Sequence, residues 1–297
     1  QGSVELSKID AETEKALKGV SFDLYKLNPD QKETLVSSHT TDEEGKIKLD
    51  SLAPGEYYFQ ETKTLDGYVM DSTKHKFEIA KEFSGQPESV KINIKNYRGE
   101  ARLMKLGSSR AENGLEFIPL EGAEFSLYKD GSEEAMQVVV SDSEGNVIFE
   151  NLSDGNYKVI ETKAPKGYIR NSEIYSFTIN EGASEESELK HNLGKVRNIK
   201  ASFILNKYEG LENQDIDTSE MKKLEGANFN LHKVEGSEKS LINDRLVSNA
   251  SGTIEINDLE PGKYELSEVL AADGYFLNYE TIEFEIPESM DVKELEE

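Results

Sequence analysis

The chain has 297 residues, enough for one large domain or two to three ordinary ones, and it has no Cys, which excludes disulfides and thiolate metal sites. With 59 acidic against 34 basic residues the formal net charge is −25, a balance that repels nucleic-acid phosphates and anionic lipid, so neither is expected as a partner. No apolar run approaches the length of a membrane span and no signal peptide or sorting tail is visible, so the chain reads as a segment of something longer, without membrane insertion of its own.

The first element is extended: Val4 and Leu6 alternate with polar residues, and Lys8 keeps their phase. Next comes Leu17-Lys18-Gly19-Val20-Ser21-Phe22-Asp23-Leu24, with Phe22 and Leu24 in strand alternation. Turns are expected at Glu44-Gly45 and Pro54-Gly55. The strand after them alternates through Tyr57 and Phe59, with Glu61 in phase, and leads to the pair Gly67-Tyr68. The last strand puts Ile92, Ile94 and Asn96 on one face.

This pattern returns twice at a period of about 100 residues, which is too long for a solenoid and suits beads on a string. The second copy places Lys105 in phase with Ala101 and Leu103, Glu161 with Tyr157 and Val159, and Asn198 with Val196. The third places Lys207 with Phe203 and Leu205, and Glu268 with Tyr264 and Leu266. The block around Phe22 recurs around Phe125 and Phe229, and Gly67-Tyr68 recurs as Gly167-Tyr168 and Gly274-Tyr275. Three domains follow, 1–98, 99–199 and 200–297, joined by linkers of a few residues at Tyr97-Arg98-Gly99 and Asn198-Ile199-Lys200. Short strands, frequent turns and the lack of any long helical period make each an all-β sandwich.

Each complete copy thus aims a Lys, a Glu and an Asn at its own core. Burial disfavours a lone charge, lowering a Lys pKa and raising a Glu pKa, so the pair can sit as neutral amine and neutral acid. A neutral amine is a nucleophile, and a protonated Glu beside an Asn carboxamide can polarise its carbonyl and move protons. The product is a Lys–Asn isopeptide bond with loss of ammonia, a single-turnover self-modification and no catalysis of an outside substrate. The plain alternative is an ion pair at a strand end, with each Asn a turn residue. Repetition in every copy favours the bond.

The combination of first-strand Lys, Leu-x-Gly-x-x-Phe-x-Leu block, Tyr-x-x-x-Glu-x-x-x-x-x-Gly-Tyr box and last-strand Asn resembles the B-type repeat domains of Gram-positive collagen adhesins (CnaB-type) and the SpaA-like domains of sortase-assembled pilins. The resemblance covers essentially the whole chain. It implies a transthyretin-like, inverse immunoglobulin-type sandwich with bonds Lys8–Asn96 and Lys105–Asn198, catalysed by Glu61 and Glu161. In copy three Lys207 and Glu268 match, but the Glu-to-Asn spacings of the earlier copies would place the partner beyond Glu297, so its closing strand is expected to be missing or rearranged. The implied role is a structural stalk on the cell wall of a Gram-positive bacterium, with neighbouring domains of the same surface protein as partners. Other readings are a module gripping a host extracellular matrix protein, or a pilin shaft. The shaft is disfavoured here because no Tyr-Pro-Lys occurs. No cofactor is expected. The one faint metal pattern, Asn213-x-Asp215-x-Asp217, has Thr218 where a calcium loop needs Gly and Leu224 where it needs Glu.

Overall fold

The computed structural model describes residues 1–30, 32–81, 89–112, 114–210 and 221–291. The residues singled out as a faint calcium loop, Asn213, Asp215, Asp217 and Thr218, lie outside the described residues. Leu224 is a core residue, and no cluster of metal-ligating side chains occurs among the described residues.

Copy one is built from β1 (Gly2–Asp10), β2 (Ser21–Leu27), β3 (Glu33–Thr40), β4 (Lys46–Leu52), β5 (Gly55–Lys63), β6 (His75–Ile79) and β7 (Ser89–Asn96). They form two sheets, ordered β3-β2-β5-β6 and β4-β1-β7. Alternate residues of a strand face one side, so Val4, Leu6, Ile47 and Ile94 of one sheet meet Phe22, Leu24, Phe59 and Ile79 of the other in a single core. The all-β sandwich expected from the alternation is the observed fold. Tyr58 departs from it. It points away from that core yet is buried, because Tyr25 stacks on its ring at 5.0 Å and Lys74 covers it.

Copy two has β8 (Gly99–Ala111), β9 (Gly114–Pro119), β10 (Glu124–Lys129), β11 (Gln137–Val140), β12 (Asn146–Leu152), β13 (Gly155–Lys163), β14 (Arg170–Asn171), β15 (Ile174–Ile179), the one-turn helix α1 (Glu186–Leu189) and β16 (Lys190–Asn198). Its sheets run β11-β10-β13-β15 and β12-β8-β16, with β9 folded back on the long end of β8. Copy three has β17 (Ala201–Asn206), β18 (Asn228–Glu235), β19 (Glu238–Val247), β20 (Thr253–Leu259), β21 (Gly262–Leu270), β22 (Thr281–Ile286) and β23 (Ser289–Met290). Its first sheet, β19-β18-β21-β22, matches the other copies, but its second is only β17-β20 among the described residues.

In the first two copies the opening and closing strands are parallel neighbours. β1 pairs with β7 so that Lys8 lies opposite Ile94 and Asp10 opposite Asn96. β8 pairs with β16 so that Lys105 lies opposite Val196 and Gly107 opposite Asn198. In each case the Asn stands two residues beyond the position facing the Lys, on the same inward face.

Neighbouring copies interlock. Val69, directly after the Gly67-Tyr68 turn, is buried in the core of copy two, and its amide donates to the Tyr97 carbonyl at 2.9 Å. Ile169 repeats this in the core of copy three, its amide donating to Ile199 at 2.9 Å. The corresponding Phe276 of copy three is fully exposed. At the first junction the Arg98 guanidinium donates to both Asp10 and the Asn151 side chain of copy two. Burial opposes ionisation of Asp10, but its hydrogen bonds from the Tyr68 hydroxyl and the Thr13 and Glu12 amides outweigh it and hold the carboxyl down at about 2. At the second junction β14 and β23 pair in parallel across the boundary. Because Val69 fills space in a core that is not its own, Val69→Ala should weaken copy two by about 1–3 kcal/mol, the cost of a small cavity. Hydrogen exchange should show faster opening of amides in β8 and β12, with β2 and β5 of copy one changed much less.

Candidate functional site: a buried Lys–Glu–carboxamide cluster

A side chain at the buried end of an opening strand is only as well placed as its own backbone, and each candidate Lys is clamped on both sides. The Lys8 amide donates to the Gly45 carbonyl at 2.8 Å and its carbonyl accepts from Leu17 at 2.9 Å. Lys105 does the same with Gly145 and Leu120 at 2.6 and 3.0 Å, and Lys207 with Gly252 and Leu224 at 2.7 and 3.0 Å. The turn that closes over the Lys needs glycine for two reasons. Gly45, Gly145 and Gly252 have φ of +70°, +79° and +69°, a region costly for residues with a Cβ. A Cβ there would also lie 2.5, 2.3 or 2.7 Å from the Lys carbonyl oxygen.

The three side chains named from the sequence meet in copies one and two. Lys8, Glu61 and Asn96 are all buried, as are Lys105, Glu161 and Asn198. Lys8 Nζ lies 2.5 Å from Asn96 Oδ1 and 2.9 Å from Glu61 Oε2, and Asn96 Nδ2 donates to Glu61 Oε1 at 3.0 Å. In copy two Lys105 Nζ donates to Asn198 Oδ1 and lies 3.1 Å from Glu161 Oε2, while Asn198 Nδ2 donates to Glu161 Oε1 at 2.6 Å. The carboxyl thus touches both the amine and the amide NH2, and the amine touches the amide carbonyl. Each Asn closes a strand in the interior and is not a turn residue.

Burial sets the protonation. Desolvation lowers the Lys8 pKa despite the opposing charge of Glu61. It brings Lys105 down to about 8 against the pull of Glu161, and it pushes Glu161 up against Lys105 and its hydrogen bonds. Both members of the copy-two pair are therefore displaced toward their neutral forms. A neutral amine against an amide carbonyl, with a carboxylic acid bridging amine and amide nitrogen, is equipped for attack at the carboxamide carbon and proton delivery to the leaving nitrogen.

In the third set the described residues show a pair. Lys207 Nζ lies 3.0 Å from Glu268 Oε1 and 3.2 Å from Oε2, and no Asn side chain joins them among the described residues.

The sequence matches the family described as SpaA, prealbumin-like fold domain, over residues 2–96, 116–192 and 209–296. The chain belongs to this family. Among curated proteins, the trypsin-resistant surface T6 protein of Streptococcus pyogenes is 44% identical over 71 residues, which are 24% of this chain and 13% of that protein. Colossin-A of Dictyostelium discoideum is 28% identical over 141 residues, 45% of this chain and 1% of that one. The chain therefore spans a small part of the length of either relative. Similar solved structures include the Bacillus anthracis TIE protein, with 25% identity, TM-score 0.38 and coverage of 98% of this chain and 49% of that one. A streptococcal ancillary pilin has 17% identity, TM-score 0.39 and coverage of 96% and 95%. BcpA, the major pilin subunit of Bacillus cereus, has 22% identity, TM-score 0.35 and coverage of 97% and 95%.

Each SpaA-type copy adds groups that strand phase did not single out. The Phe of the repeated block faces the amine: Lys8, Lys105 and Lys207 Nζ lie 5.5, 5.5 and 5.9 Å from the ring centroids of Phe22, Phe125 and Phe229. That Phe lies opposite the Glu in the sheet register, so its recurrence was the available signal. Thr64 Oγ1 accepts from Asn96 Nδ2 at 2.7 Å. The backbone amides of Asn171 and Asn278 donate to Glu161 and Glu268 at 2.9 and 2.8 Å, and a backbone donor leaves no mark on side-chain pattern. The Gly-Tyr pairs are turn and packing features: Gly67, Gly167 and Gly274 carry positive φ, and the Tyr hydroxyls donate to Asp10, Ser108 and Glu209.

Two glycines separate backbone strain from steric clash. Gly145→Ala meets both, whereas Gly167→Ala, at φ +86° with open space around it, meets strain alone. Gly167→Ala should cost about 1–2 kcal/mol, and Gly145→Ala clearly more, as read by chemical unfolding of copy two.

Proposed function

We propose that copies one and two each close an intramolecular isopeptide bond, Lys8–Asn96 and Lys105–Asn198, and that the chain is a load-bearing stalk segment of a surface protein or pilus of a Gram-positive bacterium. The observation that carries this reading is the mutual contact of amine, carboxyl and carboxamide, all buried, in two copies. Lys Nζ attacks the Asn carboxamide carbon, the Nζ–Cγ bond forms, and the Cγ–Nδ2 bond breaks. Glu61 or Glu161, in its acid form, gives its proton to the departing nitrogen, which leaves as ammonia, and takes the amine proton in exchange. Nothing external is consumed, so the chain acts on itself and is no enzyme toward an outside substrate.

The stalk follows from where the bonds would lie. A link between the first and last strands of a domain carries tension from one junction to the next without loading the sheet hydrogen bonds. By analogy with disulfides, closing loops of this size contributes about 4–5 kcal/mol through the unfolded chain's lost entropy. The surface and pilin names among the similar proteins support a place at the cell wall, with neighbouring domains of the same polypeptide as the immediate partners. A pilin shaft is compatible with the same geometry. A grip on a host matrix protein is the reading with least behind it, since no observed surface argues for it.

The intact chain should weigh two ammonia molecules less than its sequence mass. Glu61→Gln and Glu161→Gln should each restore one ammonia, since a Gln keeps the size of the side chain but holds no transferable acid proton. A full-mass wild-type chain removes the bond from this reading.

Reaction rate should depend on pH in a defined way for copy two. The reactive pair shares one proton between Lys105 and Glu161. Below the raised pKa of Glu161 a second proton binds and the amine becomes ammonium; above about 8 the shared proton is lost and no acid remains for the leaving group. Chain recovered unfolded in urea and diluted into buffers should therefore lose ammonia from copy two fastest on a plateau between these limits, with slower loss on both sides. A rate that climbs without limit above pH 8 would show that Glu161 delivers no proton.

A further inference from the structure

Copies one and two steady the same three groups by different means. In copy two the acid is gripped, because the Asn171 amide donates to Glu161 Oε2 at 2.9 Å. The residue aligned with Asn171 in copy one is Asp71, and its amide makes no such bond. Glu61 Oε2 is buried, with Lys8 Nζ at 2.9 Å and no backbone donor among the described residues. Copy one grips the carboxamide instead. Asn96 Nδ2 donates to Glu61 Oε1 at 3.0 Å and also to Thr64 Oγ1 at 2.7 Å. Asn198 Nδ2 donates to Glu161 alone among the described residues.

The backbone is not the source of this difference. Thr64, Ala164 and Ala271 each follow the site Glu by three residues, just past the end of its strand or in line with it. Each enters the same turn: the amides of Tyr68, Tyr168 and Tyr275 donate to the carbonyls of Leu65, Pro165 and Ala272 at 3.2, 3.1 and 3.1 Å. The glycines before those Tyr residues have φ of +82°, +86° and +83°. One turn geometry thus carries a hydroxyl in copy one and a methyl in the other two, and the hydroxyl is the group in contact with the nitrogen that must leave.

We infer that Thr64 is a catalytic residue of copy one, the acceptor that holds the leaving nitrogen of Asn96. Before reaction Oγ1 accepts an ordinary amide N–H. Once the Glu61 acid has given its proton to Nδ2, that nitrogen is cationic, and a hydrogen bond from a charged donor is roughly twice as strong. A contact that strengthens as the reaction proceeds lowers the barrier, where one of constant strength would not. The step balances without Thr64 losing or gaining a proton. Lys8 Nζ bonds to Asn96 Cγ, the Cγ–Nδ2 bond breaks, Glu61 exchanges its proton for that of the amine, and ammonia leaves. The inference rests on the bond chemistry proposed above, and its test separates the two.

The 297-residue chain and its variants are recovered unfolded in urea, diluted into neutral buffer and sampled over time. Intact mass counts the ammonia lost, and digestion assigns each loss to Lys8–Asn96 or Lys105–Asn198. Thr64→Val keeps the shape of the side chain without its hydroxyl, and Thr64→Ala is the residue that the same turn carries in the other copies. Both should slow closure of copy one by about 2- to 10-fold, the worth of one hydrogen bond. Copy two, in the same molecule, should keep its rate and serve as the clock. Thr64→Ser restores the hydroxyl and should return copy one to nearly the unmutated rate, which a role in packing would not do. If copy one closes at the unmutated rate in Thr64→Ala, or Thr64→Ser is as slow as Thr64→Ala, Thr64 does not hold the leaving group, and both bonds still stand. An unmutated chain that loses no ammonia from either copy overturns the bond chemistry, and the role of Thr64 with it.

Discussion

An amine held out of water is the constraint on which the rest of this molecule turns. A Lys ammonium in the middle of a sandwich is unfavourable by several kcal/mol unless it is paired or gives up its proton, and here the sequence places one in each copy. Everything within reach of the amine is an answer to that problem. The Glu opposite supplies a partner for either protonation state, the Phe ring faces the nitrogen without hydrating it, and the Asn carboxamide accepts from it. The fold supplies the dryness, and the dryness supplies the nucleophile.

The same constraint explains the strand order. A carboxamide can reach the amine only if the closing strand lies beside the opening strand, in parallel, with the Asn two residues past the facing position. Parallel neighbours require a crossover, and the chain between β1 and β7 is the entire remainder of the domain. The site therefore spans its domain: the two residues furthest apart in sequence are the two in contact.

Much of this was legible because strand periodicity is two, so a single phase error would have moved Lys8, Glu61 and Asn96 to the solvent face. The threefold recurrence of the Lys and the Glu removed chance from the alignment. Other parts were silent for physical reasons. The amides of Asn171 and Asn278 act through backbone, whose chemistry is the same at almost every residue. Val69 and Ile169 lie in segments with no alternation and pack into a core built by other strands, so a domain-by-domain reading has no place for them. Tyr58, out of phase with Tyr57 and Phe59 in β5, is buried by contacts on the far face, which alternation does not show. The short pairing of β14 with β23 occurs at one junction among the described residues, and repetition says nothing about what occurs once.

The segment from Ile169 to Asn171 has a consequence in time. Ile169 sits in the core of copy three, Arg170 and Asn171 pair with β23 of copy three, and the Asn171 amide holds the Glu161 carboxyl inside copy two. Copy one is likewise tied to copy two: Val69 lies in the core of copy two, and the Met70 amide and carbonyl bond to Asp154 and Gly182. The Lys105–Glu161–Asn198 cluster thus has one wall fastened to the domain that follows it. A ribosome delivers the chain N-terminus first, so that wall stays unfastened until copy three has emerged and folded. On the chemistry proposed above, closure of the Lys105–Asn198 bond then trails the synthesis of copy two by one domain.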